Sequence, residues 1–240
     1  MNEFGAAESG KDAAREGAGW DERRKRLPEW WEPLLTRLEL AEAADFTRLP
    51  TPEAAGRESA VLILLGEESP DSGPDVLMLQ RAHTLRNHAG QPAFPGGACD
   101  PGDADVAATA LREAAEEVGL DPTSVEVVTH LPTLWIPVSD FLVTPVLAWW
   151  HTPHPVRPVD LAEVARVERV PVSELVDPDN RLRVRSPSGW IGPAFRVREM
   201  LVWGFTAGVL STLLEMAGWS VPWPIDRVEG LPDSGNAPVR

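Results

Sequence analysis

A chain of 240 residues, 43% hydrophobic and 25% charged, is long enough to bury one sizeable core, or one domain with appendages. Its formal net charge of -15 argues against a nucleic-acid or anionic-membrane binder, because both need a basic footprint. The single cysteine, Cys99, cannot form an internal disulfide, which fits a reducing, cytoplasmic compartment.

Residues 1–25 mix Gly, Ala and charges without period and lack an apolar signal segment, so disorder is expected there. Leu27 to Phe46 reads as one amphipathic helix opened by Pro28, with Trp31, Leu34, Leu35, Leu38 and Ala41 at helical spacing. Trp30 and Trp31 read as its anchors against the domain. Residues 47–56 form a Pro/Ala linker, completing an N-terminal extension over 1–56.

Ala60 to Leu65 is a buried strand by length and composition, and Val76 to Gln80 is a second, after a turn over Ser69 to Pro74. A long loop from Arg81 to Asp103 follows. A helix from Asp105 to Val118 buries Ala107, Ala110, Leu111, Ala114 and Val118; Asp103 or Asp105 caps it, and Gly119 ends it in the left-handed conformation. Val125–Val128, Thr133–Pro137, Phe141–Trp150 and Val164–Val170 read as strands, and Val172–Val176 as a short helix. Arg181–Arg185 and Phe195–Arg198 alternate as a hairpin with a basic face, which serves either to neutralise a phosphate or simply to guard a sheet edge. Leu201 to Trp219 approaches a membrane span in length, but Glu215 within it and flanks without a basic cluster favour a helix buried on a sheet, running Trp203 to Met216. Residues 220–240 read as a flexible tail, leaving 57–219 as the folded domain.

Three acids crowd the central helix. Glu113 lies three and four residues before Glu116 and Glu117, so all three share one side. Like charges so placed repel, which a solvated surface tolerates and a hard divalent cation exploits. Arg112 and Glu116 are also four apart and can pair, so Arg112 reads as orienting a ligand carboxylate. Upstream, Val76 to Gly97 contains no acid but carries Arg81, Arg86, His83 and His88, a local cationic stretch inside an acidic chain.

Gly96-Gly97, a short loop, Arg112-Glu113, Glu116-Glu117 and Val118-Gly119-Leu120 together resemble the signature of the Nudix hydrolases. The pattern's glutamate eight residues before the arginine is Ala104 here, and the loop from Gly97 to Arg112 is one residue longer than usual. The stretch from Arg81 through Arg86 and Gly90 to Phe94-Pro95-Gly96-Gly97 is similar to the second motif of the coenzyme A pyrophosphatases within that family. Val143–Val146 and Val202–Ala207 also look like stretches of that subgroup, so the resemblance covers roughly residues 58 to 218.

The resemblance implies a Nudix α/β/α sandwich with a mixed β-sheet, to which the chain adds its N-terminal helix. It implies hydrolysis of the pyrophosphate of coenzyme A or its thioesters, with Mg²⁺ or Mn²⁺ as cofactor. Glu116, Glu117 and the main-chain carbonyl of Gly97 would ligate metal, and Glu113 would ligate a further ion or take the proton of the attacking water. Arg81 and Arg86 would grip phosphate, since a guanidinium matches it bidentately. Glu163 or Glu168 would replace the acid missing at Ala104. The partners implied are the small-molecule substrate, no nucleic acid and no membrane; a homodimer is left open. Two alternatives stand beside this reading: another substrate such as NADH, a dinucleotide or an oxidised nucleotide, and an idle Nudix-fold sensor.

Overall fold

The computed structural model describes residues 22–47, 56–69, 72–85, 87–137, 139–187 and 189–231. Arg86 and residues 1–21, and with them most of the segment expected to be disordered, lie outside the described residues. Arg23 and Arg24, within that segment, do belong to them: Arg23 donates to the Val128 carbonyl, and Arg24 pairs with Glu32 and Glu39.

A 3-10 turn, Glu29–Trp31, leads into α1 (Glu32–Leu38), and after a break comes α2 (Ala43–Phe46). The single helix expected over 27–46 is thus interrupted. Glu42 is extended, and it exchanges side-chain hydrogen bonds with Asp45 in a capping box that starts α2 afresh. The chain then forms β1 (Arg57–Glu67), β2 (Pro74–Arg81), β3 (Pro92–Ala93), β4 (Gly96–Ala98), α3 (Val106–Val118), β5 (Val125–His130), β6 (Leu134–Ile136) and β7 (Phe141–Trp150). It ends with β8 (Val164–Pro171), α4 (Val172–Val176), β9 (Arg181–Arg185), β10 (Ile191–Val197), β11 (Met200–Val202), α5 (Gly204–Met216) and β12 (Val228–Gly230). The long loop expected over 81–103 therefore contains two short strands. The tail expected beyond 220 contains β12, which runs parallel to β9.

β1 is the spine of a mixed sheet. It runs parallel to β7 along nine residue pairs and antiparallel to β2 and β4. Both of its faces are buried, hence its unbroken apolar run. Ala60, Leu62 and Leu64 join Ala110, Ala114 and Val118 of α3 on one side. Ile63 and Leu65 join Leu34, Leu35 and Leu38 of α1 and Leu210, Leu213 and Leu214 of α5 on the other. Helices on both faces of a mixed sheet make the α/β/α sandwich expected. Trp31 is fully buried and stacks on Trp30, which also meets Trp219 and donates to Glu67. The amphipathic segment is consequently built into the core.

β9 to β12 form a second sheet in the order β11-β10-β9-β12. Three of the five arginines expected on its basic face are engaged within the protein. Arg196 pairs with Glu229, Arg198 pairs with Glu174, and Arg181 is fully buried between Phe195 and Trp223, donating to Ser211 and Ser220. Internal pairing and anchoring account for Arg181, Arg196 and Arg198 better than phosphate binding does. No helix among the described residues is long and apolar enough to cross a membrane.

Candidate active site

Three elements converge on the acids. α3 begins where Asp105 accepts the Ala108 N–H and stops where Gly119 turns left-handed at φ 70°. Capping by Asp105 leaves Asp103 for another use. β4 brings Gly96 and Gly97 against β1 and alongside α3, and the end of β2 brings Arg81.

Gly96 is needed for space: a Cβ there would sit 2.3 Å from the Ala60 carbonyl oxygen and 2.6 Å from the Val61 Cα. That closeness lets the Gly96 N–H donate to Glu117 Oε2 at 3.0 Å. At Gly97 a Cβ would lie 2.5 Å from the Glu113 carboxyl carbon, so the Glu113 carboxylate rests directly over this glycine. Glycine pairs of this kind admit a close approach of other groups to the backbone.

Glu117 is 9% exposed, and burial pushes its carboxyl up to about 7. The Gly96 N–H and Arg81 pull the other way, while the charges of Glu113 and Glu163 add to the rise. Burial also raises Glu113, against the opposing Arg112 guanidinium. Glu116 is the exposed member of the trio and pairs with Arg112 at 3.1 Å. Arg81 forms no ion pair among the described residues, and its Nε is buried without a partner. A guanidinium whose charge reaches the desolvated Glu117, with a buried Nε left over, suits an anion brought in from outside.

The expected pairing of Arg112 with Glu116 is present, but it is one of several. Arg112 donates from Nε and Nη2 to Asp103 at 3.0 Å each, from Nη2 to the Ala98 carbonyl at 3.1 Å and from Nη1 to Glu113 at 3.0 Å. The sequence reading missed Asp103, because a partner nine residues away across a loop has no periodic signature. Of the two acids considered for the gap at Ala104, Glu163 is the one whose charge reaches Glu117. Glu168 lies 3.8 Å from Arg166 instead.

Among the described residues no three His, Cys, Asp or Glu side chains form a ready-made metal cage. The donor set nonetheless fits a hard cation. Two carboxyls with raised proton affinity lie side by side, one of them with a single hydrogen-bond donor, and a divalent ion would supply the missing counter-charge. Magnesium characteristically takes only one or two carboxylates and completes its shell with water and substrate oxygens. Two cavities, of about 750 and 570 Å³, lie elsewhere and are lined by none of these glutamates.

The NUDIX domain family model matches residues 56–188. An uncharacterized Nudix hydrolase, NudL, of Citrobacter koseri is 40% identical over 175 residues, covering 68% of this chain and 83% of that protein. The NudL of Cronobacter sakazakii is 37% identical over 174 residues with the same coverage. The crystal structure of a Nudix hydrolase from M. Smegmatis, RenU, aligns over 68% of this chain and 86% of that chain, at 22% identity and a TM-score of 0.49. With its signature residues gathered around one buried glutamate and a family match spanning more than half its length, the chain belongs to the Nudix hydrolase family.

Proposed function

We propose that this Nudix hydrolase cleaves the pyrophosphate linkage of coenzyme A or its thioesters. The products would be adenosine 3′,5′-bisphosphate and 4′-phosphopantetheine or its acylated form. The observation carrying this reading is the stretch from Arg81 to Gly97. It is similar to the second motif of coenzyme A pyrophosphatases, and it supplies Arg81, whose buried Nε has no partner, and the Gly96 N–H that meets Glu117.

Bound Mg²⁺ or Mn²⁺ would act as a Lewis acid and lower the pKa of water. Glu116, Glu117 and the Gly97 carbonyl are the proposed ligands. Glu116 must then leave Arg112, which its exposure permits. Glu113, desolvated over Gly97, would ligate a further ion or accept the proton of the attacking water. Glu163 can assist, as its charge already acts on Glu117. Arg81 and Arg86 would hold the phosphates and orient the anhydride. The hydrolase domain in this reading is residues 57–219, with residues 27–46 contributing core packing and Val228–Gly230 an edge strand. The lone Cys99 accords with a cytoplasmic setting.

The test is a substrate panel in Mg²⁺ or Mn²⁺ with product identification: coenzyme A, acyl thioesters, NADH, dinucleotides and oxidised nucleotides. Release of phosphopantetheine with the highest kcat/KM supports the assignment. A clear preference for NADH or a nucleotide overturns it, and hydrolysis of none of them favours a sensor. Light scattering on the eluting protein reads out whether it is a homodimer.

A further inference from the structure

We infer that Asp103 is a positioning residue: it fixes the Arg112 guanidinium, thereby setting where Glu113 stands and keeping Arg112 from following Glu116 when that residue turns to a cation. The inference rests on the metal-binding reading of those glutamates. Arg112 touches both of them from the same nitrogen, Nη1, at 3.0 and 3.1 Å. An arginine held by those two contacts alone could swing with either flexible partner. Its other edge is clamped instead: Nε and Nη2 donate to the two Asp103 oxygens at 3.0 Å each, a bidentate pair, and Nη2 also reaches the Ala98 carbonyl.

Asp103 is itself held from three directions. Its Oδ2 accepts from the Asp100 N–H at 2.9 Å and from Thr109 Oγ1 at 2.8 Å, in addition to Arg112. The Asp103 N–H closes the same turn onto the Asp100 carbonyl at 2.9 Å. Its side chain is 9% exposed, so water competes little for these bonds. Loop and helix therefore meet in one carboxylate, and Arg112 carries the link on to the Ala98 carbonyl of β4. It lies one residue before Ala104, the position at which the family pattern has its acid, in a loop one residue longer. Neither Glu163 nor Glu168 pairs with Arg112. Without the Asp103 charge, two Arg112 donors would be released to turn towards Glu113 and Glu116, where they would compete with a cation for the same oxygens.

Asp103→Asn and Asp103→Glu, compared with the wild type, test this through three readouts besides activity: Arg112 Nε–H exchange by NMR, Mn²⁺ binding by electron paramagnetic resonance, and Tm. In Asp103→Asn the Nε–H should exchange at least about tenfold faster and the Mn²⁺ dissociation constant should rise about tenfold, the usual effect of losing a group that orients metal ligands. With coenzyme A, kcat should fall by a similar factor of about ten while KM stays within about twofold, and Asp103→Glu should recover part of each loss. If Asp103→Asn fails to fold, Thr109→Val, which removes one of the donors to Asp103, should move the same readouts by smaller amounts. A lowered Tm with unchanged Nε–H exchange and unchanged Mn²⁺ affinity overturns the inference, leaving Asp103 a brace for its loop. Failure of the wild type to bind Mn²⁺ overturns the metal reading; Arg112 exchange then decides alone whether Asp103 holds this guanidinium.

Discussion

Glu117 concentrates the chemistry of this protein at a single residue. A carboxyl kept 9% exposed, with one N–H donor and a proton affinity near neutrality, is poorly served by the metal-free protein. Replacing it with glutamine should lower kcat by at least about a hundredfold while the fold persists, since amide and carboxyl match in shape. Turnover close to wild type in Glu117→Gln, measured with purified protein and Mg²⁺, would remove Glu117 from the mechanism. A pH dependence follows from the same burial. The folded value is about 7 against an ordinary value of 4.5, so between these limits the folded state holds the extra proton. The metal-free protein should therefore be most stable below about 4.5 with respect to this group, and lose that contribution as pH rises towards about 7. The full span corresponds to on the order of 3 kcal/mol, with Glu113 shifted in the same direction. Urea titrations across this range should show the slope, Glu117→Gln should flatten it, and Mn²⁺ should offset the loss at neutral pH.

At the scale of elements, two adjacent glycines of β4 do different work. A methyl at Gly96 meets main-chain atoms of Ala60 and Val61, which cannot move without parting β4 from β1. Gly96→Ala should cost about 2 kcal/mol or more of stability, readable as a lower Tm. A methyl at Gly97 meets the far end of the Glu113 side chain, which can rotate away. Gly97→Ala should keep stability within about 1 kcal/mol yet cut hydrolysis at least about tenfold, by displacing Glu113. Equal losses of Tm in the two variants would contradict this division. Much of α3 was legible beforehand: its apolar spacing, the three acids on one side and the Gly119 stop are local properties. The interruption between α1 and α2 was also written locally, in Glu42 and Asp45, but the apolar spacing across Leu27 to Phe46 masked it.

The whole molecule draws on both ends of the chain. Trp31 lies in the same core as Leu210, Leu213 and Ala217, and it is fully buried. Trp31→Ala should cost about 3–5 kcal/mol in a denaturant titration, as large aromatic deletions from cores do. A loss below about 1 kcal/mol would show the N-terminal segment to be dispensable. At the other end, Arg181 ties Ser220 and Trp223 to β9, just ahead of the strand pairing made by β12. Read in sequence, that arginine belonged to a basic surface stripe; in the fold its charge is enclosed by aromatic rings and serine hydroxyls.

The amino-acid sequence by itself determined what depends on near neighbours: strands and helices, the acidic side of α3, the glycine turn and the family to which they belong. Tertiary structure alone decided that Glu117 is the most buried of the three acids, that the Arg81 Nε is left without a partner and that Asp103 clamps Arg112. Those outcomes depend on distance and exposure between residues far apart in the chain, and burial energies have no periodic trace in sequence.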